Sequence, residues 1–464
     1  MTTETGGMER GLPSVDRLLR AVPGWCGLPG PMAAMVVRRV VSGWREAAAG
    51  GVAPPEFGEA VEVVRGEMEL LARRRIGVVI NGTGVLLHTN LGRAPLAAGV
   101  AARVAEVASS YHNLELDMET GERGSRGEFL ETSLALLAGA EAATVVNNCA
   151  AALVLILRHL TAGGRREVVI SRGQLVEIGG GFRVPEILET SGAVLREVGS
   201  TNRTTVEDYR RAMGSGTALL LRVHRSNFVM EGFTGEPGLE ELVAVAREGG
   251  VPLVEDLGSG AVVDTAQFEG LGHEPTAAES LAAGVDLVCT SGDKLFGGPQ
   301  SGLIFGRAEM VRGLKRDPMY RALRCDRLAY VALQETAAMS LGAGVGRAAS
   351  GVPLMAMLGV GLEGLEERAV AVMEMARAIG GKVELAVVRT EARCGGGTMP
   401  KGVIASVGLR VTVGGVGVEE VARRLRLGRP AVLGRIAGGA VLVDLRTVLP
   451  GQDGALGEVL GRLG

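Results

Sequence analysis

Seven short runs of apolar, mostly β-branched residues alternate with helical stretches between about residues 76 and 340. No other feature of the sequence constrains the fold as strongly. The runs are ATVVNN, REVVIS, GAVLREV, ALLLRVH, VPLVEDLG, VDLVCTSG and GLIFG. Buried strands separated by helices of about ten to fifteen residues are typical of βα units. The pattern therefore predicts an α/β domain with a mainly parallel seven-stranded sheet and helices on both faces.

The sequence on either side of this region has a different pattern, so several domains are expected for a chain of 464 residues. Residues 1–75 carry apolar side chains at three- and four-residue spacing, with glycine and proline between the segments. Residues 351–464 begin with a long helical segment and continue with strand-like runs such as ASVGLRVTV. We therefore expect a helical N-terminal domain (1–75), a large domain (76–350) and a small α+β C-terminal domain (351–464).

Composition and charge exclude several classes of protein. The net charge is −3, so any contact with nucleic acid must depend on a local basic patch. The five cysteines are scattered, with no CxxC pair and no histidine cluster at metal spacing, which argues against a disulfide framework or a metal site. The N-terminal segment is polar and acidic, and no apolar run approaches the roughly 18 residues of a membrane span. A cytoplasmic protein without a membrane partner is expected.

A single lysine, Lys294, follows the strand-like run VDLVCTSG and precedes a Gly-Gly-Pro turn. It is either a surface loop charge or an amine desolvated for Schiff-base chemistry. Asp256 ends another predicted strand, and ligands of parallel sheets bind beyond the carboxyl ends of strands. A carboxylate in that position can keep the ring nitrogen of pyridoxal phosphate protonated.

The segment VVNNCAAALVLIL predicts a strand, a turn and a helix. The turn contains Asn148, Cys149 and Ala150, and free N–H groups at the start of a helix bind phosphate. A phosphate turn, a strand-end aspartate and a strand-end lysine, in this order, are typical of a fold-type-I pyridoxal-phosphate-dependent enzyme. Spacing alone leaves the surface-charge interpretation of the lysine open.

Eight sequence blocks, in the same order, resemble bacterial selenocysteine synthases, the L-seryl-tRNA(Sec) selenium transferase family. The resemblance extends from about residue 12 to the C-terminus. The blocks are LPSVDRLL, INGTGVLLHTNLGRAPL, LELDMETGERGSRG, SRGQLVEIGGGFRVPEIL, LRVHRSNFVMEGFTG, EDLGSG, TSGDKLFGGPQSGLIFG and RALRCDRLAYVALQET. The resemblance implies conversion of seryl-tRNA(Sec) to selenocysteinyl-tRNA(Sec) with selenophosphate, through an aminoacrylyl-tRNA bound to pyridoxal 5'-phosphate.

The resemblance also implies roles for individual residues. Lys294 is expected to hold the cofactor as an imine, with Asp293 beside it in a catalytic role and His224 in contact with the cofactor. Selenophosphate is a small polyanion, and planar guanidinium groups bind such oxygens in bidentate fashion. The arginines that match the family in this role are Arg93, Arg321 and Arg324. The resemblance further implies a tRNA-binding N-terminal domain and a homodecamer built as a ring of dimers.

Several alternatives remain open from the residues themselves. Arg321 and Arg324, at i and i+3 of a predicted helix, also fit a solvated helix face. Asp293 also fits a capping role in its turn. His88 and His224 have structural roles as plausible as chemical ones. Two other functions compete: a related lyase acting on a small amino acid or amino sugar phosphate, and a cofactor-free RNA-binding scaffold.

Overall fold

The structure is a computed structural model that describes residues 12–178 and 181–463. The first eleven residues of the predicted helical domain, and residues 179 and 180 of one family block, lie outside the described residues. The chain divides into two compact units, with the division between Val78 and Val79. No helix among the described residues is long and apolar enough to cross a membrane.

Between residues 12 and 78, the N-terminal unit contains three α-helices, α1 (Val15–Ala21), α2 (Gly30–Ala49) and α3 (Phe57–Arg73). Helix α1 begins at Ser14, whose hydroxyl accepts a hydrogen bond from the backbone N–H of Arg17 at 3.2 Å. Apolar residues at three- and four-residue spacing on each helix form one buried cluster, which includes Leu18, Val36, Val37, Val64 and Met68.

The larger unit contains a seven-stranded sheet in the order β2-β10-β9-β8-β7-β3-β6. Its strands are β2 (Ala142–Val146), β3 (Glu167–Ser171), β6 (Val194–Val198), β7 (Thr217–Val223), β8 (Leu253–Asp256), β9 (Leu287–Ser291) and β10 (Gly302–Gly306). Strand β10 is antiparallel to both of its neighbours, and the other pairs are parallel. The predicted mainly parallel α/β sheet is confirmed, and each of the seven apolar runs overlaps one of its strands.

Apolar side chains cover both faces of this sheet. Along β3, Val168 and Ile170 belong to one buried cluster and Val169 to another, because successive side chains of a strand point to opposite faces. The helices of this region are α4 (Ala98–Ala108), α5 (Glu128–Ala138), α6 (Cys149–Thr161), α7 (Val184–Glu189), α8 (Val206–Ala212), α9 (Leu239–Glu248), α10 (Ala277–Ala283), α11 (Ala308–Arg316), α12 (Pro318–Leu323), α13 (Arg327–Ala343) and α14 (Pro353–Gly359). Two antiparallel strands of two residues each, β4 (Glu177–Ile178) and β5 (Phe182–Arg183), lie between β3 and α7 in the sequence.

A second sheet of five strands has the order β1-β13-β14-β12-β11. Its strands are β1 (Val79–Gly82), β11 (Val383–Ala392), β12 (Ile404–Val413), β13 (Ala431–Ala437) and β14 (Ala440–Asp444), and the helices of this part are α15 (Leu362–Ile379), α16 (Val418–Leu427) and α17 (Asp453–Gly461). Strand β1 pairs in parallel with β13, with Val79 opposite Ala431. The α+β part of the chain therefore includes a strand from residues that the sequence analysis groups with the large domain.

Candidate active site

A cavity of about 430 Å³ lies at the carboxyl edge of the seven-stranded sheet. This is the edge at which β7, β8 and β9 end and α6 begins. Eight of the ten candidate residues line the cavity: Arg93, Asn148, Cys149, Ala150, His224, Asp256, Asp293 and Lys294. Its volume is in the range of small-molecule and cofactor sites.

Lys294 is held in a tight turn that follows β9. Its carbonyl accepts a hydrogen bond from the N–H of Gly297 at 2.8 Å, and the next two residues, Leu295 and Phe296, are buried. Burial lowers the pKa of the Lys294 amine, and the nearby Arg93 charge acts in the same direction. The amine is therefore uncharged at lower pH than that of a surface lysine, which is what a nucleophile or base requires.

Asp256 is the last residue of β8, and its side chain lies among thiols. The Cys149 thiol donates to its Oδ1 at 3.5 Å. Cys289 lies opposite Asp256 on the neighbouring strand β9. Its Sγ is within 4.8 Å of the Asp256 carboxylate and of the Cys149 Sγ. Burial raises the pKa of Asp256, whereas the Cys149 hydrogen bond and the Lys294 charge lower it. A cationic partner in the cavity would therefore stabilise the ionised form.

The turn before α6 has the geometry of an anion site. Asn148 is the N-cap residue, and its Oδ1 accepts from the N–H of Ala151 at 2.8 Å. Within the described ranges, the backbone N–H groups of Cys149 and Ala150 have no protein acceptor. Strand β10 lies directly against the turn, because a Cβ on Gly302 would come within 2.3 Å of the Asn148 carbonyl oxygen. Only glycine at this position leaves room for the turn.

Arg93 enters the same cavity from a turn that follows residues 89–91. Its Nη1 donates to Oδ2 of the buried Asp293 at 2.6 Å, and about a third of the Arg93 side chain is exposed. The backbone of Arg93 is left-handed, with φ of +64°, immediately after Gly92 at +88°. A left-handed non-glycine residue costs of order 1 kcal/mol or more, and such strain is concentrated at functional sites.

Arg321 and Arg324 lie elsewhere in the chain. They line a separate cavity of about 610 Å³ together with His112 and Arg126. Arg321 is within α12, and Arg324 is the residue just past its end. Arg324 and Arg126 both donate to Oε1 of Glu115, at 3.4 and 3.0 Å. Within one chain, the structure therefore brings Arg93 to Lys294 and leaves the other two candidate arginines apart.

Comparison with known proteins identifies the family. The SelA family model, described as L-seryl-tRNA selenium transferase, matches residues 79–449. The chain belongs to this family. It is 42% identical to the L-seryl-tRNA(Sec) selenium transferase of Carboxydothermus hydrogenoformans, over 95% of this chain and 94% of that protein. It is 43% identical to the protein of the same name from Geobacter sulfurreducens, over 97% and 98% of the two chains.

Among solved structures, a D-glucosaminate-6-phosphate ammonia-lyase superposes on this chain with a TM-score of 0.55 and 22% sequence identity. The superposition covers 84% of this chain and 96% of the lyase. At this identity the likeness concerns the fold alone. The fold is that of the fold-type-I pyridoxal-phosphate-dependent enzymes, as the sequence predicts.

One element of the site in this selenium transferase family member was missed by the sequence analysis. Gly395, Gly396 and Gly397 are consecutive left-handed residues between β11 and β12, and the last two line the Lys294 cavity. A Cβ on Gly397 would lie 3.8 Å from Nζ of Lys294. The signal is the run GGG in RCGGGTMP, since only glycine adopts three successive left-handed conformations without strain.

The structure gives the remaining candidates structural surroundings. His88 has a buried Nδ1 with no hydrogen-bond partner among the described residues. His224 is the residue after β7 and lines the cavity.

Proposed function

We propose that this protein converts L-seryl-tRNA(Sec) to L-selenocysteinyl-tRNA(Sec), with selenophosphate as the selenium donor and pyridoxal 5'-phosphate as the cofactor. One observation carries the proposal: Lys294, Asp256 and the open start of α6 line a single cavity, and Arg93 lines it with them. The relatives that share more than 40% of the sequence over nearly their full length are named for this transfer.

The residues of the cavity fit pyridoxal phosphate. Lys294 supplies the amine for the aldehyde carbon, Asp256 the carboxylate for the ring nitrogen, and the N–H groups of Cys149 and Ala150 the donors for the phosphate. When bound, the cofactor supplies an electron sink for negative charge that develops on the α-carbon of the seryl group. The ionised Asp256 gains a partner for a charge that is otherwise costly to bury.

The chain's own residues then perform the proton transfers. Lys294, with its lowered pKa, removes the α-proton of the seryl group. Asp293 is the neighbouring residue and orients the departing β-hydroxyl group. Because the Asp293 carboxylate also holds Nη1 of Arg93, the guanidinium is fixed before any anion arrives.

Arg93 binds selenophosphate through the face of its guanidinium that Asp293 leaves free. We propose that Arg321 and Arg324 complete this subsite from a second subunit, because neither lines the Lys294 cavity of its own chain. The assembly proposed is the homodecamer expected of the family, a ring of dimers in which neighbouring subunits share active sites.

The N-terminal unit is proposed to bind the tRNA. Arg38 and Arg45 are exposed and lie seven residues apart, hence on one face of α2. In the described part of the chain neither forms an ion pair, whereas Arg39 pairs with Glu67 at 2.6 Å. Two free guanidinium groups on one helix face suit contacts with phosphates of an RNA backbone. The proposed cofactor-binding domain is residues 76–350 without strand β1, which pairs with β13, and the proposed small domain is residues 351–464.

The test is incubation of the purified protein with pyridoxal phosphate, seryl-tRNA(Sec) and selenophosphate, followed by measurement of selenium on the aminoacyl group. Selenium transfer by the natural chain and none by Lys294→Ala is the expected result. Borohydride reduction and peptide mapping should place a pyridoxyl group on Lys294. Activity on free serine without activity on the charged tRNA would favour a lyase. Absence of the pyridoxyl label would favour a cofactor-free scaffold.

A further inference from the structure

A buried carboxylate, Glu274, lies beside the active site and has no role in the mechanism above. It belongs to the segment before α10 and is only 5% exposed. Its Oε1 lies 3.1 Å from Nε2 of His224. Within residues 12–178 and 181–463, the His224 ring is the one group that hydrogen-bonds to this carboxylate.

The burial of Glu274 determines where the imidazole proton lies. An ionised carboxylate only accepts hydrogen bonds, and a buried one without a donor costs several kcal/mol in free energy, so Nε2 of the neighbouring ring carries the proton when Glu274 is ionised. The nearby Cys394 stays a neutral thiol, because burial and the Glu274 carboxylate raise its pKa to about 12, so it supplies no positive charge to Glu274. His224 therefore donates from Nε2 to Glu274.

The main chain of His224 is fixed as well. Its N–H donates to the carbonyl oxygen of Asp256 at 2.8 Å, which places it beside the residue proposed to contact the cofactor ring nitrogen. With the backbone held by β8 and Nε2 held by Glu274, the ring has one orientation. The residue lines the same cavity as Lys294.

We propose that Glu274 is a positioning residue that acts through His224: its carboxylate fixes the tautomer and the orientation of the imidazole, which in turn contacts the bound cofactor. The arrangement is that of a carboxylate–histidine pair in which the second partner orients the ring. This inference rests on the proposed cofactor site, and it concerns cofactor binding rather than selenium transfer.

The experiment is a double-mutant cycle on the full-length protein, with Glu274→Ala, His224→Ala and the double variant. The readouts are the dissociation constant of pyridoxal phosphate, from absorbance titration of the apoprotein, and the absorption band of the bound cofactor. Each single variant should weaken binding about tenfold, and the double variant should bind no more weakly than His224→Ala alone. Losses that multiply in the double variant, or natural affinity and spectrum in Glu274→Ala, would overturn the proposal.

Two further variants separate positioning from a general structural effect. Glu274→Gln keeps an oxygen that accepts from Nε2–H, so it should restore affinity to within about threefold of the natural chain. Asp264→Asn is a control, because Asp264 also hydrogen-bonds a histidine, His273 at 3.0 Å, but both side chains are exposed and neither lines the Lys294 cavity. Natural affinity is expected for Asp264→Asn. If Glu274→Gln is as impaired as Glu274→Ala while it unfolds at the natural temperature, the hydrogen-bonding role is wrong.

The outcome is independent of the transfer reaction. A natural chain that binds pyridoxal phosphate but transfers no selenium would refute the proposed function and leave the cycle interpretable. A natural chain that transfers selenium, with additive losses in the cycle, would refute only the role of Glu274.

Discussion

Replacement of Asp293 by asparagine tests whether the Arg93–Asp293 pair prepares the anion subsite. Asparagine is nearly the same size as aspartate, so the turn and the 3.3 Å hydrogen bond from the Ala94 N–H to the backbone carbonyl at position 293 should persist. The charge-assisted contact of 2.6 Å between the two side chains is lost. Arg93 is then held less firmly in the position that the structure shows.

Two effects compete in this variant, and their magnitudes differ. A hydrogen bond to a charged group contributes about 1.5–3 kcal/mol to stability, but asparagine retains part of it and Arg93 can reach solvent, so we expect the free energy of unfolding to fall by only about 1 kcal/mol. A released arginine regains up to about 2 kcal/mol of rotamer entropy, which anion binding must then remove. This corresponds to a KM for selenophosphate that is up to about 30-fold higher.

The assay is steady-state selenium transfer at varied selenophosphate, with the KM for seryl-tRNA(Sec) measured in parallel. The KM for selenophosphate should rise and the KM for the tRNA should stay unchanged. The matched control is Glu131→Gln, which weakens a pair of similar burial, Glu131–Lys315 at 2.6 Å, outside the cavity. An unchanged KM for selenophosphate in Asp293→Asn, or an equal rise in Glu131→Gln, would refute the reasoning.

The lysine, the phosphate turn and the distant arginines can each be tested as well. Reaction of the apoprotein with pyridoxal phosphate should reach half its maximal rate below pH 10.5, since burial lowers the pKa of Lys294, and Lys294→Arg should abolish the absorbance change. The pKa of Lys294 is lower in the folded chain than the value of 10.5 expected in the unfolded chain. Between these two pKa values the unfolded chain binds more protons, so Lys294 alone makes the free energy of unfolding rise with pH. Gly302→Ala should weaken cofactor binding at least tenfold in a fluorescence titration, because its Cβ would meet the backbone at Asn148. Co-expressed Lys294→Ala and Arg321→Ala subunits should regain up to about a quarter of natural activity if sites are shared, and none if every site is built from one chain.

The sequence predicted the centre of the site well, for a physical reason. Parallel strands place their carboxyl ends at one edge, so Asp256 and Lys294, each at or just past the end of a buried run, had to lie near each other once the sheet formed. The start of α6, with Asn148 as its N-cap residue, follows from the same rule. These positions depend on where each buried run ends, which is a local pattern, and on the general rule that parallel strands end at the same edge.

The contacts missed by the sequence analysis depend on parts of the chain that are far apart. The approach of Gly397 to Lys294 requires the loop between β11 and β12 to lie over the other sheet, which no local pattern indicates. The separation of Arg321 from Arg93 depends on where α12 packs. The partnership of Glu274 with His224 joins a loop to a strand end fifty residues earlier, and glutamate in a loop gives no sign of burial.

The pairing of β1 with β13 has a consequence for synthesis of the chain on the ribosome. Val79 emerges roughly 350 residues before its partner Ala431. At a synthesis rate of about 5–20 residues per second, β1 stays unpaired for about 20 to 70 seconds until β13 has been synthesised. During that interval the nascent polypeptide exposes an unpaired backbone edge, and chaperones that shield such edges should have their greatest effect on yield before translation terminates.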